Sequence, residues 1–105
     1  MKYAEMKERR VLITGGTQGI GEAMADLFSA DGAKVVINGR VLNEKVQKVL
    51  DRTGAKESMG SIINQSEAAP VVRKAAELND GLDVLVCNAA GMSMAPFLES
   101  VPEEW

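Results

Sequence analysis

The chain has 105 residues, 46% of them hydrophobic and 26% charged, proportions ordinary for a single globular domain at the small end of the usual range. A net charge of −3 leaves no basic stripe to follow a phosphate backbone, so no nucleic-acid partner is expected. No membrane contact is expected either, because no apolar stretch approaches the ~18–20 residues of a span. One cysteine excludes an internal disulfide and fits a reducing cytoplasm, and the absence of histidine removes the commonest metal ligand and general base.

Met1 to Arg10 alternate charges and lack the apolar core of a signal peptide. Val11-Leu12-Ile13 then reads as a buried strand. Behind it stands a glycine cluster, Thr14-Gly15-Gly16-Thr17-Gln18-Gly19-Ile20-Gly21. Ile20, Ala23, Met24, Leu27 and Phe28 recur at the spacing of one helix face, and Asp31-Gly32 supplies the stop. Lys34 to Asn38 is a second strand around Val35-Val36-Ile37. Asn43 caps a second helix, with Val46, Val49 and Leu50 inward and Gly54 at its end. Met59 to Ile63 is read as the third strand, on the strength of Ile62-Ile63. A third helix runs to about Asn79, with Val71, Val72, Ala75, Ala76 and Leu78 inward. Asn64 and Ser66 both offer caps for it, and Pro70 is expected only in a first turn. After Gly81, Val84-Leu85-Val86-Cys87 reads as a fourth buried strand.

Strands alternating with helical crossovers require a parallel sheet with right-handed connections. The expected fold is α/β, a Rossmann-type sheet of order 3-2-1-4, one half of a doubly wound fold with its ligand crevice at the strand C-termini.

The glycine cluster carries the functional signal. A helix N-terminus leaves backbone N–H groups unpaired and bears partial positive charge, so it attracts a pyrophosphate. A Cβ on the loop would hold the phosphates away. Gly15 and Gly19 are read as supplying the turn and the close approach, and Gly21 as letting the helix pack on its strand. The spacing is not G-x-G-x-x-G, since a start at Gly16 would need glycine at Gln18. Nor is it a Walker-type loop, because no Lys-Ser or Lys-Thr pair comes after it.

The spacing T-G-x-x-x-G-x-G resembles that of the short-chain dehydrogenase/reductase family, and the resemblance extends along the chain. It implies that Gly15, Thr17, Gln18, Gly19, Ile20 and Gly21 hold a cofactor pyrophosphate. At the end of the second strand an acidic residue would bond the ribose 2′-OH of NAD. This chain has Asn38-Gly39-Arg40, with glycine in the place of the acid and an arginine suited to a 2′-phosphate. NADP(H) is therefore expected, ahead of NAD. The family aspartate that bonds adenine corresponds to Ser61, with Ile62 beside it. The family Asn-Asn-Ala-Gly corresponds to Cys87-Asn88-Ala89-Ala90, which assigns Asn88, Ala89 and Ala90 to the cofactor side and leaves Cys87 as a buried core thiol.

The resemblance also implies a catalytic serine, tyrosine and lysine beyond a fifth strand. The one tyrosine is Tyr3, no Tyr-x-x-x-Lys occurs, and Ser93 comes too early, so no catalytic residue and no metal site are expected among these residues. Ser100-Val101-Pro102-Glu103 reads as a capping box for a helix that Trp105 cuts short. The expectation is the N-terminal, cofactor-binding portion of a longer reductase that acts on a small carbonyl or alcohol and is homo-oligomeric when complete. The alternative is a free-standing, non-catalytic dinucleotide-binding module. Alone, the chain is expected to expose Val84 to Cys87 as an apolar sheet edge and to self-associate.

Overall fold

The structure is a computed structural model that describes residues 6–17 and 19–88. Seven elements alternate: β1 (Arg10–Thr14), α1 (Gly19–Ala30), β2 (Lys34–Asn38), α2 (Glu44–Thr53), β3 (Lys56–Glu57), α3 (Gln65–Leu78) and β4 (Val84–Cys87). All pairings are parallel and the sheet order is β3-β2-β1-β4, as the alternation requires. Ile13 lies beside Ile37 on one flank and Val86 on the other, so the two central strands are in full register.

The pleat divides the core into two layers. Val11, Ile13, Val35 and Ile37 face α1 and α2, where Ala25, Val46 and Val49 meet them. Leu12 and Val36 face α3 and pack on Ala75. These strand residues are at most 4% exposed, so each contributes about 1.5–3 kcal/mol of apolar burial. Their continuous run of apolar residues is explained by the two-sided cover.

Local signals set most of the boundaries. Asn43 caps α2 by accepting from the Val46 N–H at 3.0 Å, and Gly54 closes it in the left-handed region while its N–H bonds the Leu50 carbonyl. For α3 the cap is Asn64, whose Oδ1 accepts from both Glu67 N–H and Ser66 Oγ. Pro70 therefore falls beyond the first turn, contrary to the expectation from its sequence position. The carbonyl that its missing N–H leaves free belongs to Ser66, and both residues are exposed, so solvent can satisfy it.

Four further expectations are corrected. The third strand is Lys56–Glu57 rather than Met59 to Ile63, and Ile63 is 57% exposed. As an edge strand, β3 needs no apolar face. Lys56 Nζ instead reaches the Leu78 carbonyl, and Glu57 pairs with Lys74 at 3.0 Å. In α1 the inward residues are Gly21, Met24, Ala25 and Phe28, while Ile20, Ala23 and Leu27 are exposed. The glycine turn holds Gly21 inward, and that contact sets the rotation of the whole helix. On α3, Val72 is exposed and Val71 and Ala75 are buried. On β4, Val84 and Val86 pack on the α1–α2 layer, but Leu85 is 50% exposed and Cys87 is exposed rather than buried. α3 lies mainly over β1 and β2, which leaves β4 at the sheet edge partly open.

Candidate functional site

The C-terminal ends of β1, β2 and β4 and the loop after β3 converge at one rim of the sheet, and backbone and side-chain bonds tie them together. Gly16 is buried, and its N–H donates to the Asn38 carbonyl at 3.1 Å, which fastens the glycine turn to β2. Beyond β3 the ladder continues without regular strand: Ser58 N–H donates to Ile37 O and Gly60 N–H to Gly39 O. Asn38 is 2% exposed, and its amide donates to the Ser58 carbonyl at 2.9 Å and the Gly60 carbonyl at 3.1 Å. That amide is committed to holding the β3 loop against β2. Ser58, fully buried, closes the layer by donating to the Val71 carbonyl on α3.

The β1–β4 seam has its own clasp. Thr14 Oγ1 donates to the Val86 carbonyl and accepts from the Asn88 N–H at 3.0 Å. Asn88 Nδ2 then donates to the Gly15 carbonyl at 3.2 Å. The glycine turn is thus held from both sides, by Asn38 and by Asn88.

Within the turn, two glycines do different work. Gly19 opens α1 with φ +59, and among the described residues nothing outside its own turn of helix stands within 4 Å of where its Cβ would be, so that side of the helix start is clear of them. Gly21 is buried, and a Cβ there would run into the Gly15 carbonyl and stand 2.6 Å from Asn88 Nδ2. Its hydrogen is what allows α1 to close onto the turn. The first turn of a helix leaves backbone N–H groups without intrahelical partners and bears partial positive charge, so the start of α1 is suited to an anion.

Around this helix start, Thr17 is half-buried and Ile20 is 72% exposed. Arg40 is exposed and makes no hydrogen bond or ion pair among the described residues, so its guanidinium has all five donors to offer. Ser61 is half-buried beside Ile62, and its Oγ accepts from Ile63 N–H at 3.3 Å. Gln18, Ala89 and Ala90 lie outside the described residues, as do Ser93 and the capping box at Ser100. Reading the sequence placed Thr14 and Gly16 in the glycine cluster without giving them partners, and it missed Ser58. Thr14 and Ser58 could have been suspected as polar residues at strand ends, but nothing local marks the partners they would find.

The opposite rim carries the strongest charge pairing. Arg10 and Asp83 form a two-point clasp across the starts of β1 and β4, with Nε–Oδ2 and Nη2–Oδ1 both at 2.9 Å. The side-chain bond from Arg10, helped by its backbone N–H, holds the Asp83 carboxyl well below the usual carboxylate range. A groove of about 580 Å³ opens there, lined by Lys7, Lys34 and Asn79 among others. Of its cations, Arg10 is paired with Asp83 and Lys34 with Glu8. Among the described residues, no group of histidine, cysteine, aspartate or glutamate is arranged to hold a metal ion, and no helix is long and apolar enough to cross a membrane.

The family model for short chain dehydrogenases matches residues 9–105. This chain belongs to that family. Its relatives include an uncharacterized oxidoreductase of Thermotoga maritima, 40% identical over 90% of this chain, and the glucose 1-dehydrogenase of Gluconobacter oxydans, 38% identical over 84%. The chain spans only 38% and 35% of the lengths of those two proteins. Among solved structures, a short chain dehydrogenase from Burkholderia cenocepacia in complex with NADP superposes with a TM-score of 0.73 at 29% identity, covering 94% of this chain and 42% of that one. The strand order fits that membership, and the relatives matched are oxidoreductases.

Proposed function

We propose that these residues form the NADP(H)-binding portion of a short-chain oxidoreductase that reduces a small carbonyl or oxidises an alcohol. The observation that carries the reading is the pairing of a helix start at Gly19 with an exposed Arg40 beyond Gly39 at the end of the neighbouring strand, the first clear and the second unpaired among the described residues. The residues present fit the group. Gly15, Thr17, Gln18, Gly19, Ile20 and Gly21 would surround the pyrophosphate, with α1 supplying N–H donors and partial charge. Arg40 would grip the 2′-phosphate through two parallel bonds, and Gly39 leaves no carboxylate to repel it. Ser61 and Ile62 would meet the adenine, and Asn88, Ala89 and Ala90 would line the path toward the nicotinamide. Asn38 and Asn88 act by fastening the turn, Asn38 through its backbone carbonyl to Gly16 N–H and Asn88 through its side-chain amide to the Gly15 carbonyl.

When bound, a nicotinamide dinucleotide supplies or accepts the hydride. None of the 105 residues is assigned the proton transfer, because Tyr3 stands ahead of β1 and the chain contains no Tyr-x-x-x-Lys. Calorimetric titration of the chain with NADPH and NADH tests the reading. NADPH is expected to bind more tightly, by about tenfold or more given the worth of a charge-assisted pair. Absence of binding by either dinucleotide overturns the proposal, and equal affinities overturn its NADP(H) part.

A further inference from the structure

We propose that Thr17 decides which dinucleotide the end of β2 can accept, because its γ atoms fill the volume that a side chain at position 39 would need. The inference rests on the dinucleotide reading above and adds a specificity-determining residue to it. A Cβ on Gly39 would stand 2.6 Å from Thr17 Cγ2 and 3.3 Å from Thr17 Oγ1, with Met59 Sδ closing the flank at 3.6 Å. The first distance is far inside van der Waals contact.

Glycine is not required at position 39 by its backbone. Gly15, Gly19, Gly32, Gly54, Gly60 and Gly81 have positive φ, and Gly39 is not among them, so an L-residue could adopt its conformation. Space alone keeps the position bare. The backbone cannot move away, because the Asn38 carbonyl accepts from Gly16 N–H at 3.1 Å and the Gly39 carbonyl from Gly60 N–H at 2.8 Å. The Asn38 amide, bonded to Ser58 and Gly60, pins the same peptide from the other side. Relief must come from Thr17. A β-branched residue has two heavy γ atoms for three staggered positions, and with both of them on the Gly39 side, either other rotamer still leaves one γ atom there.

The consequence concerns the ribose. A carboxylate at position 39, the group that would bond a 2′-OH, is shut out as long as threonine stands at position 17. Converting this site to NAD(H) therefore needs two changes in concert: a smaller residue at 17 and an acid at 39. Neither alone suffices.

Two measurements on the full chain test this. In the first, thermal melting without cofactor compares the wild type, Gly39→Ala, Thr17→Ala and the double variant. Gly39→Ala is expected to lower the midpoint by about 4–8 °C, and Thr17→Ala/Gly39→Ala to melt within about 2 °C of Thr17→Ala alone. Additive shifts, or a Gly39→Ala variant that melts with the wild type, would overturn the contact. In the second, calorimetry measures NADH and NADPH binding to Gly39→Asp and to Thr17→Ala/Gly39→Asp. The single variant is expected to lose NADPH without acquiring NADH, and the double variant to bind NADH about tenfold or more tighter than NADPH. A single Gly39→Asp change that confers NADH binding as well as the double change would overturn the proposal, as would a folded double variant that fails to bind NADH. A wild-type chain that binds neither dinucleotide defeats the cofactor reading instead, and the melting cycle still decides the packing claim.

Discussion

Arg40 stands one residue beyond the position where an acid would select NAD, exposed and without a partner among the described residues. An unpaired guanidinium loses nothing intramolecular on meeting a phosphate, so the gain from a charge-assisted pair, about 1.5–3 kcal/mol, appears almost whole in the affinity. Arg40→Ala is accordingly expected to weaken NADPH binding by one to two powers of ten and to leave NADH binding nearly unchanged, both read by titration calorimetry. An equal loss for the two cofactors would place the arginine elsewhere than at the 2′-phosphate. Asn38 gives the contrasting lesson at the same scale. Its place at the end of β2 made it a candidate contact, whereas its amide is spent on Ser58 and Gly60, so its effect on a ligand passes through the loop it holds.

At the scale of an element, the glycine turn and α1 act as one piece. Gly21 presses against the Gly15 carbonyl, and this contact, more than the apolar spacing, selects which face of α1 turns inward. Gly19 is the position at which binding and folding separate. A valine there is strained at φ +59, which lowers the melting midpoint, but its branched Cβ projects into space clear of the other described residues and disturbs no packing among them. Gly19→Val is therefore expected to keep its helical and strand circular dichroism while losing dinucleotide binding below detection. A folded variant that still binds would show that the cradle lies elsewhere. The third strand shows the limit of local reading at this scale. Ile62-Ile63 has the composition of a strand, yet the connection after α2 brings Lys56 and Glu57 beside Val36 and Ile37 first, and an edge position lets charged residues take that place.

Over the whole molecule the two rims of the sheet have different duties. Among the described residues the glycine rim leaves Arg40 unpaired, whereas at the opposite rim Arg10 and Asp83 clasp β1 to β4 where the strands begin. Because the Asp83 carboxyl is held below its ordinary range, its contribution to stability is fully present above the unfolded-state pKa of about 3.9 and is lost as pH falls through the lower folded-state value. Asp83→Asn is thus expected to melt below the wild type at pH 7, with the gap narrowing as both are acidified below about pH 4. A gap that stays constant down to pH 2 would mean that the clasp does not depend on the charge. The sheet also leaves Leu85 half exposed beside Leu12 on the α3 face, so the two faces are unequally covered in the described residues.

By itself the sequence determined the features that spacing along the chain dictates: strand, glycine turn and helix in order, the bounds of β2, the Asn43 cap and Gly54 stop of α2, and the sheet order, which the handedness of crossovers leaves little freedom to vary. It also brought the glycine turn, Arg40 and Asn88 into one account, since a motif read at fixed offsets needs no knowledge of distance. Only the tertiary structure decided which face of α1 is buried, where β3 pairs, that Pro70 lies inside a helix, and that β4 is half open. Pro70 follows from which of two local caps is used, Asn64 rather than Ser66. The others depend on a partner distant in sequence, Asn88 against Gly21 or Val36 against Lys56, and propensity sums over neighbours in the chain, whereas packing sums over neighbours in space. Gly39 belongs to the second group: its letter suggested only a missing carboxylate, and the methyl of Thr17 explains why nothing else stands there.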